Sequence, residues 1–301
     1  MSTRFFCSLS SQQRREQIFG TAPHVTSWLL VEHPGPWSSK SFPDDLLPAP
    51  VSAHIDRIAR AFGAGKRLII RRHHRRDEEF RVFMAVTEED ACAISYFSFR
   101  NIDEFLACSA EEAIARAQLW TRPLYLVCTH GRHDKCCAKY GFPAYCALRE
   151  MAPEDAWECS HVGGDRFAAN ILCFPQGIYY GHVPPEAIWD LVAEHRQGRM
   201  MLEYFRGRCA YKRIAQVGEY FVRDESGLRG IADLVLLGSR RVGPRQWSVE
   251  FASRSFNGGY EVEFLRGADV QHCLLTCGSN EPAAIAQYEF VRYSVIPGLR
   301  R

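Results

Sequence analysis

Short apolar runs broken by turn residues alternate with stretches of helical spacing through the first third of the chain. Trp28-Leu29-Leu30-Val31-Glu32 reads as a buried strand. His33-Pro34-Gly35-Pro36-Trp37 reads as the turn that ends it, because two prolines and a glycine cannot stay in a ladder. Val51, Ile55, Ile58 and Phe62 recur at helical spacing. Lys66–Arg71, Phe80–Val86 and Ala91–Phe99 follow as strands, and Ile102–Leu119 as a helix or helix pair rich in Ala and Glu.

A second unit opens near Thr121. The apolar strand Pro123–Val127 runs directly into Cys128, and a helix extends from Cys137 to Met151, interrupted or restarted at Pro143. Trp157–His161 is a short strand ending in the loop Gly163-Gly164, and Asn170–Phe174 and Gly177–Val183 are two more. Pro184-Pro185 then opens an amphipathic helix with Ile188, Leu191, Val192 and His195 on one side. The order β-α-β-β-β-α matches a small thioredoxin-like layer of helices on a mixed sheet. The last third begins with a helix around Tyr211–Phe221. It continues in strands at Ala232–Leu237, Trp247–Ala252, Tyr260–Leu265, Cys273–Cys277 and Gln287–Tyr293, with a hairpin turn at Asn257-Gly258-Gly259. No internal repeat is visible. The fold class is α/β (α+β): an N-terminal α/β domain over 1–118, a thioredoxin-like domain over 119–205, and a C-terminal helix plus antiparallel sheet over 206–301.

Composition changes this picture in one respect. With 301 residues, 47% apolar and 24% charged, the chain has ordinary globular character. No apolar run approaches the ~18–20 residues of a membrane helix. The start lacks the apolar core of a secretory signal, so a cytoplasmic location without membrane is expected. A net charge of +2 does not argue for nucleic acid. The basic run Arg71–Arg76 is answered by Asp77-Glu78-Glu79 and reads as a solvated turn between strands. Cysteine is the anomaly: there are 12. In a reducing compartment such a number points to metal, cluster or redox chemistry, although most of the twelve should be small buried hydrophobes.

The chemistry concentrates in Cys128-Thr129-His130-Gly131-Arg132-His133-Asp134-Lys135-Cys136-Cys137, followed by Cys159-Ser160-His161-Val162-Gly163-Gly164-Asp165. A strand ending in Cys, a polar loop and a Cys at a helix start let two thiolates converge, and the helix N-terminus favours their charge. A second loop carrying His161 and Asp165 faces them, with glycines that permit close approach. Cys159 and His161 lie two apart on the strand read at Trp157–His161 and would share a face. His130 and His133 are candidate donors to cluster sulfurs. Arg132, Lys135 and Arg166 are candidate counter-charges. Cys136 would point elsewhere, and Cys146 reads as core. Cys273 and Cys277 would stand ~13 Å apart on a strand, too far to share one metal without a bend. With Cys7, Cys92, Cys108, Cys173 and Cys209 they read as packing.

Cys128–Cys137 and His161–Asn170 resemble the sucrase/ferredoxin-like family, whose core is a thioredoxin-like ferredoxin domain. The resemblance takes in Cys7, Gly20-Thr21-Ala22-Pro23, Trp28–Glu32 and Pro34-Gly35-Pro36-Trp37, and covers roughly residues 5–200. It implies a [2Fe-2S] cluster held by two cysteines and an H-x-x-x-H pair. Carried over, the cysteines are Cys128 and Cys137, and the first histidine is His161. The second histidine position holds Asp165, a departure that should lower the reduction potential relative to two histidines. The alternative fourth ligand is Cys159.

The resemblance implies an electron-transfer or redox-sensing protein rather than a hydrolase. No paired carboxylates and no nucleophile elbow support hydrolysis. A histidine ligand reaching water would couple reduction to protonation. The residues themselves equally permit a zinc- or thiol-based interaction module, or a degenerate ferredoxin without cofactor. No nucleotide-binding glycine fingerprint is present, so the expected partner is a redox protein or small reductant, with no nucleic acid and no membrane.

Overall fold

The computed structural model describes residues 5–72, 79–268 and 271–299. The turn expected around Arg71–Arg76 lies largely outside them. The elements in chain order are α1 Cys7–Gln13, β1 Ser27–Glu32, α2 Ala49–Phe62, β2 Lys66–Arg71, β3 Phe80–Val86, β4 Ala93–Phe99, α3 Ile102–Ala107, α4 Ala110–Ala115 and β5 Gln118–Leu119. Next come β6 Leu124–Cys128, α5 Lys135–Met151, β7 Ala156–Cys159, β8 Ile171–Phe174, β9 Ile178–Tyr180, α6 Ile188–Arg196 and β10 Phe205–Arg208. The last are α7 Arg213–Ser226, β11 Leu234–Gly243, β12 Gln246–Ser253, β13 Gly258–Arg266, β14 Gln271–Cys273, β15 Ala283–Ile285 and β16 Tyr288–Pro297.

The apolar runs become interior strands because both faces of the sheet are covered. Leu124–Val127 is fully buried: β6 lies parallel to β7 on one side and antiparallel to β8 on the other. Helix α5 joins β6 to β7, the hairpin β8–β9 follows, and α6 closes the unit, with sheet order β7-β6-β8-β9. This is the thioredoxin arrangement the second unit's pattern predicts.

The first unit has the same connectivity. Strand β1 is parallel to β2 and antiparallel to β3, α2 is the crossover, β4 pairs with β3, and α3 and α4 follow. Each unit ends in a fifth antiparallel strand, β5 on β4 and β10 on β9. The two halves join through β2 and β7, giving one ten-stranded sheet in the order β10-β9-β8-β6-β7-β2-β1-β3-β4-β5. The sequence shows no repeat, yet the topology is duplicated: sheet and helix order need only matching apolar periodicity, not matching residues.

Two further differences from the sequence reading have physical causes. Pro143 neither ends nor restarts its helix; α5 runs unbroken through it. Cys137, Ala144, Tyr145 and Leu148 bury one face of α5, and that packing outweighs the lost backbone hydrogen bond. The run from Cys273 to Cys277 is not a strand. β14 ends at Cys273, opposite Ala283 where β15 begins, and the backbone N–H of Cys277 instead donates to Asp134 Oδ2 at 2.6 Å.

The C-terminal sheet has the order β11-β12-β13-β16. Helix α7 covers one face, setting Val217 and Phe221 against Val249, Phe251, Val262 and Phe264. Glu219 of α7, fully buried, pairs with Arg208 of β10 at 2.8 Å and Arg223 at 2.9 Å, tying this helix to the large sheet.

Candidate metal centre

Strand β6 ends at Cys128, and the loop 129–134 returns the chain to α5. Asp134 caps that helix by accepting from the Cys136 N–H at 2.8 Å, which places Cys137 in its first turn. On the neighbouring strand, β7 ends at Cys159, and the loop beyond it brings back His161 and Asp165. One ligand atom from each of Cys128, Cys137 and His161 lies within 4.8 Å of the others; His133, His161 and Asp165 form a second set within the same limit. Cys137 Sγ is 3.3 Å from Asp165 Oδ1. His161 Nδ1 stands 3.0 Å from the same oxygen, at ion-pair distance but out of hydrogen-bond alignment.

The four residues singled out in the sequence therefore line one pocket, with Cys137 and His161 joining Cys128 on one side to Asp165 on the other. Cys128, Cys137 and Asp165 are buried, whereas the His161 side chain keeps 14% exposure. Cys159 sits opposite Cys128 in the β6–β7 register, inside an apolar cluster with Trp157 and Leu68, and belongs to neither set.

Charge in this pocket is unevenly shared. The Cys137 thiol donates toward Cys128 and, against burial and with help from His161, holds Cys128 well below the usual thiol range. The same contact, with burial, drives Cys137 well above it. Burial pulls His161 down, but Asp165 and the Cys128 thiolate outweigh it and raise the imidazole to about 9. Burial likewise opposes ionisation of Asp165, and His161 overcomes it, holding the carboxyl below its ordinary value. The pocket thus stores negative charge on one sulfur and one carboxylate against a single imidazolium.

The loop bearing His161 and Asp165 is fixed from beneath by Arg206, which is 1% exposed. Its Nη1 donates to Gly163 O at 3.0 Å and Asn170 Oδ1 at 2.6 Å, and its Nη2 to Thr21 O at 2.9 Å. Asn170 Nδ2 donates to Gly164 O at 2.8 Å. Gly163 and Gly164 have φ of 101° and 82°, and a Cβ at Gly164 would stand 2.5 Å from Arg206 Nη2. Both glycines are required here.

The rings of His130 and His133 do not serve as donors to the sulfurs, although the His130 backbone N–H does and helps lower Cys128. His130 Nδ1 accepts from the His161 N–H at 3.2 Å, so its Nε2 carries the hydrogen and donates to Ser38 O at 2.6 Å. His133 Nδ1 donates to Ser39 O at 2.9 Å, which leaves Nε2 as the acceptor, and its ring stacks on His161 at 3.9 Å. The 33–48 loop of the first unit thereby covers the site, with Trp37 edge-on to His130 at 5.4 Å. Of the expected counter-charges, Arg166 is engaged by Glu16 at 2.6 Å and Lys135 lies over the Phe6 ring. The nearby cations are instead Arg206 and Lys66, whose Nζ donates to Val162 O at 2.9 Å. Neither has a local sequence signal, since each comes from a strand remote in the chain.

Cys136 does point elsewhere. Its Sγ is 3.6 Å from Cys7 Sγ and 3.2 Å from Cys277 Sγ. Reading Cys7 and Cys277 as isolated packing residues is therefore corrected: 270 positions separate them, so no spacing could reveal the pair. The neighbouring Cys136-Cys137 was the available signal, because adjacent residues on a helix face different ways.

Sheet order and pocket together define a thioredoxin-like α/β protein with a buried cysteine–histidine–carboxylate site. The sucrase/ferredoxin-like family model matches residues 18–207, and the chain belongs to that family. Over 98 residues it is 30% identical to "Altered inheritance of mitochondria protein 32" of Meyerozyma guilliermondii, spanning 29% of this chain and 35% of that relative's length. Two variants of the thioredoxin-like [2Fe-2S] ferredoxin from Aquifex aeolicus are similar at 18% identity. They cover 29% and 28% of this chain and 100% and 96% of theirs, with TM-scores of 0.27 and 0.25.

Proposed function

We propose that Cys128, Cys137, His161 and Asp165 hold a [2Fe-2S] cluster and that the protein carries or senses single electrons. The observation that carries this reading is the pair of overlapping donor sets sharing His161, with two sulfurs in one and a carboxylate in the other. Two thiols, an imidazole and a carboxylate are donors that iron accepts, and they are held by short loops on a fully packed sheet. Bound there, the cluster would supply a one-electron couple.

The chain's own residues prepare the site. Cys128 enters as a thiolate, so Cys137 and the His161 imidazolium are the groups that must release protons to bind metal. Arg206 and Asn170 hold the His161–Asp165 loop in place, and Lys66 and Arg206 moderate the negative charge. The cover from the first unit, anchored on His130 and His133, keeps water from the sulfurs. His161 also lines an open cavity of about 690 Å³ with Phe42, Arg60, Lys66 and Arg67. A redox partner, protein or small reductant, would approach through this face.

The test is purification without oxygen followed by iron, acid-labile sulfide and zinc analysis. About two irons and two sulfides per chain are expected, lost together in Cys128→Ser and Cys137→Ser. Neither iron nor sulfide after reconstitution, or zinc in their place at these residues, overturns the proposal.

A further inference from the structure

Outside this pocket a second donor cluster stands on the opposite side of the first turn of α5. Cys7, Cys136 and Cys277 have sulfur–sulfur distances of 3.6, 3.2 and 3.5 Å, and Cys7 Sγ is 3.9 Å from both oxygens of Asp134. One ligand atom from each of these four residues lies within 4.8 Å of the rest. Cys7, Cys136 and Asp134 are at most 4% exposed, and Cys277 is half-buried.

We propose that Cys7, Cys136, Cys277 and Asp134 form a structural zinc site, separate from the [2Fe-2S] site and independent of it. In a tetrahedral site with zinc–sulfur bonds of about 2.3 Å, the sulfurs stand about 3.8 Å apart. The three here need to open by only a few tenths of an ångström. They surround one point, which suits a single ion. An odd number of thiols also argues against a disulfide: one bridge would strand the third sulfur, whereas an ion uses all three.

The backbone offers N–H donors to two of the three sulfurs, Cys277 and Cys136, while the Cys7 thiol donates toward Asp134 and would yield its proton to a metal. The Cys7 N–H points at Cys277 Sγ at 3.4 Å, and the Ser8 N–H at Cys136 Sγ at 3.5 Å, so the backbone presents donors to sulfur acceptors. The N-terminus of the 17-residue helix α5 adds favourable potential for Cys136. Asp134 Oδ1 accepts from the Cys136 N–H at 2.8 Å and Oδ2 from the Cys277 N–H at 2.6 Å. Each oxygen retains a lone pair for a metal, and the two amides fix its orientation. Three thiolates and a carboxylate complete a tetrahedron without an open position, the mark of a structural site. Such an ion would clasp α1, the start of α5 and the segment beyond β14.

The experiment is zinc analysis and zinc K-edge X-ray absorption on the full chain, grown with added zinc. About one zinc per chain is expected, with three sulfurs and one light atom around it. It should persist in a Cys128→Ser, Cys137→Ser double variant, which removes both sulfurs of the other site. In Cys277→Ser the zinc content should fall at least about tenfold while any iron is kept. Should that variant fail to fold, the absorption spectrum of the parent protein decides. A parent without zinc, a zinc shell with fewer than three sulfurs, undiminished zinc in folded Cys277→Ser, or a disulfide among these three cysteines in fresh protein overturns the proposal.

Discussion

Asp165 occupies the position where the family resemblance calls for a histidine, and it accepts from Cys137 at 3.3 Å while facing His161 at 3.0 Å. A carboxylate donates more charge to iron than an imidazole. Asp165→His is therefore expected to keep iron and raise the midpoint potential, on the order of 100 mV, in a redox titration. Gly164→Ala tests the support of the same loop. With φ at 82° and its new Cβ against Arg206, it should cost about 1–3 kcal/mol in denaturant unfolding and speed iron loss. At this scale the sequence was informative about donors and silent about their supports. Cys128, Cys137, His161 and Asp165 sit within two short segments whose spacing is visible along the chain. Arg206, Lys66 and the Cys7–Cys277 pairing arise only from tertiary contact.

Helix α6 shows how an element buries a group that its amphipathic pattern counts as apolar. His195 lies on the inner face, 7% exposed, with Nδ1 3.3 Å from the Tyr125 hydroxyl. Burial lowers it to about 4 from an ordinary 6.5. The folded state thus binds a proton less readily than the unfolded chain. Its contribution is complete above about pH 6.5 and is lost as the pH falls through 4, by up to about 3 kcal/mol. His182, also lowered to about 4 by burial, titrates in the same window, so the informative quantity is a difference between variants. His195→Gln should flatten part of the fall in urea midpoint between pH 6.5 and 4. An unchanged slope would refute the assignment. Elements were legible where periodicity was long, as in α2 and the interior strands. They were misjudged where packing overrode a local rule, at Pro143, or where a polar contact redirected the chain, after Cys273.

For the whole molecule, the seam between the two halves decides whether it behaves as one body. Among the described residues, strands β2 and β7 pair at Ile70–Cys159 and Arg71–Glu158, and the Ser160 N–H donates to Ile69 O at 2.8 Å beyond them. Across this short seam Arg71 Nε meets the buried Glu158 carboxylate at 3.0 Å, and Thr129 donates to the same carboxylate at 2.6 Å. The Arg71 guanidinium also lies 4.2 Å over Trp37, which leads to His130 and the Cys128–His161 pocket. Glu158→Ala strands a half-buried arginine and is expected to cost about 2–3 kcal/mol in thermal or denaturant unfolding. Hydrogen exchange at 69–71 and 158–160 should rise more than at β1 or β6. The duplicated topology was invisible in the sequence because one half keeps the cysteines and the other uses the matching loop as a cover.

The placement of Cys136 beside Cys137 has a mechanical corollary. Successive residues on a helix are separated by roughly 100° around its axis, so the opening turn of α5 works like a cog meshed with a wheel on either side. The two sulfurs stay on one turn yet reach different neighbours, so the two donor clusters share that turn without sharing a ligand atom.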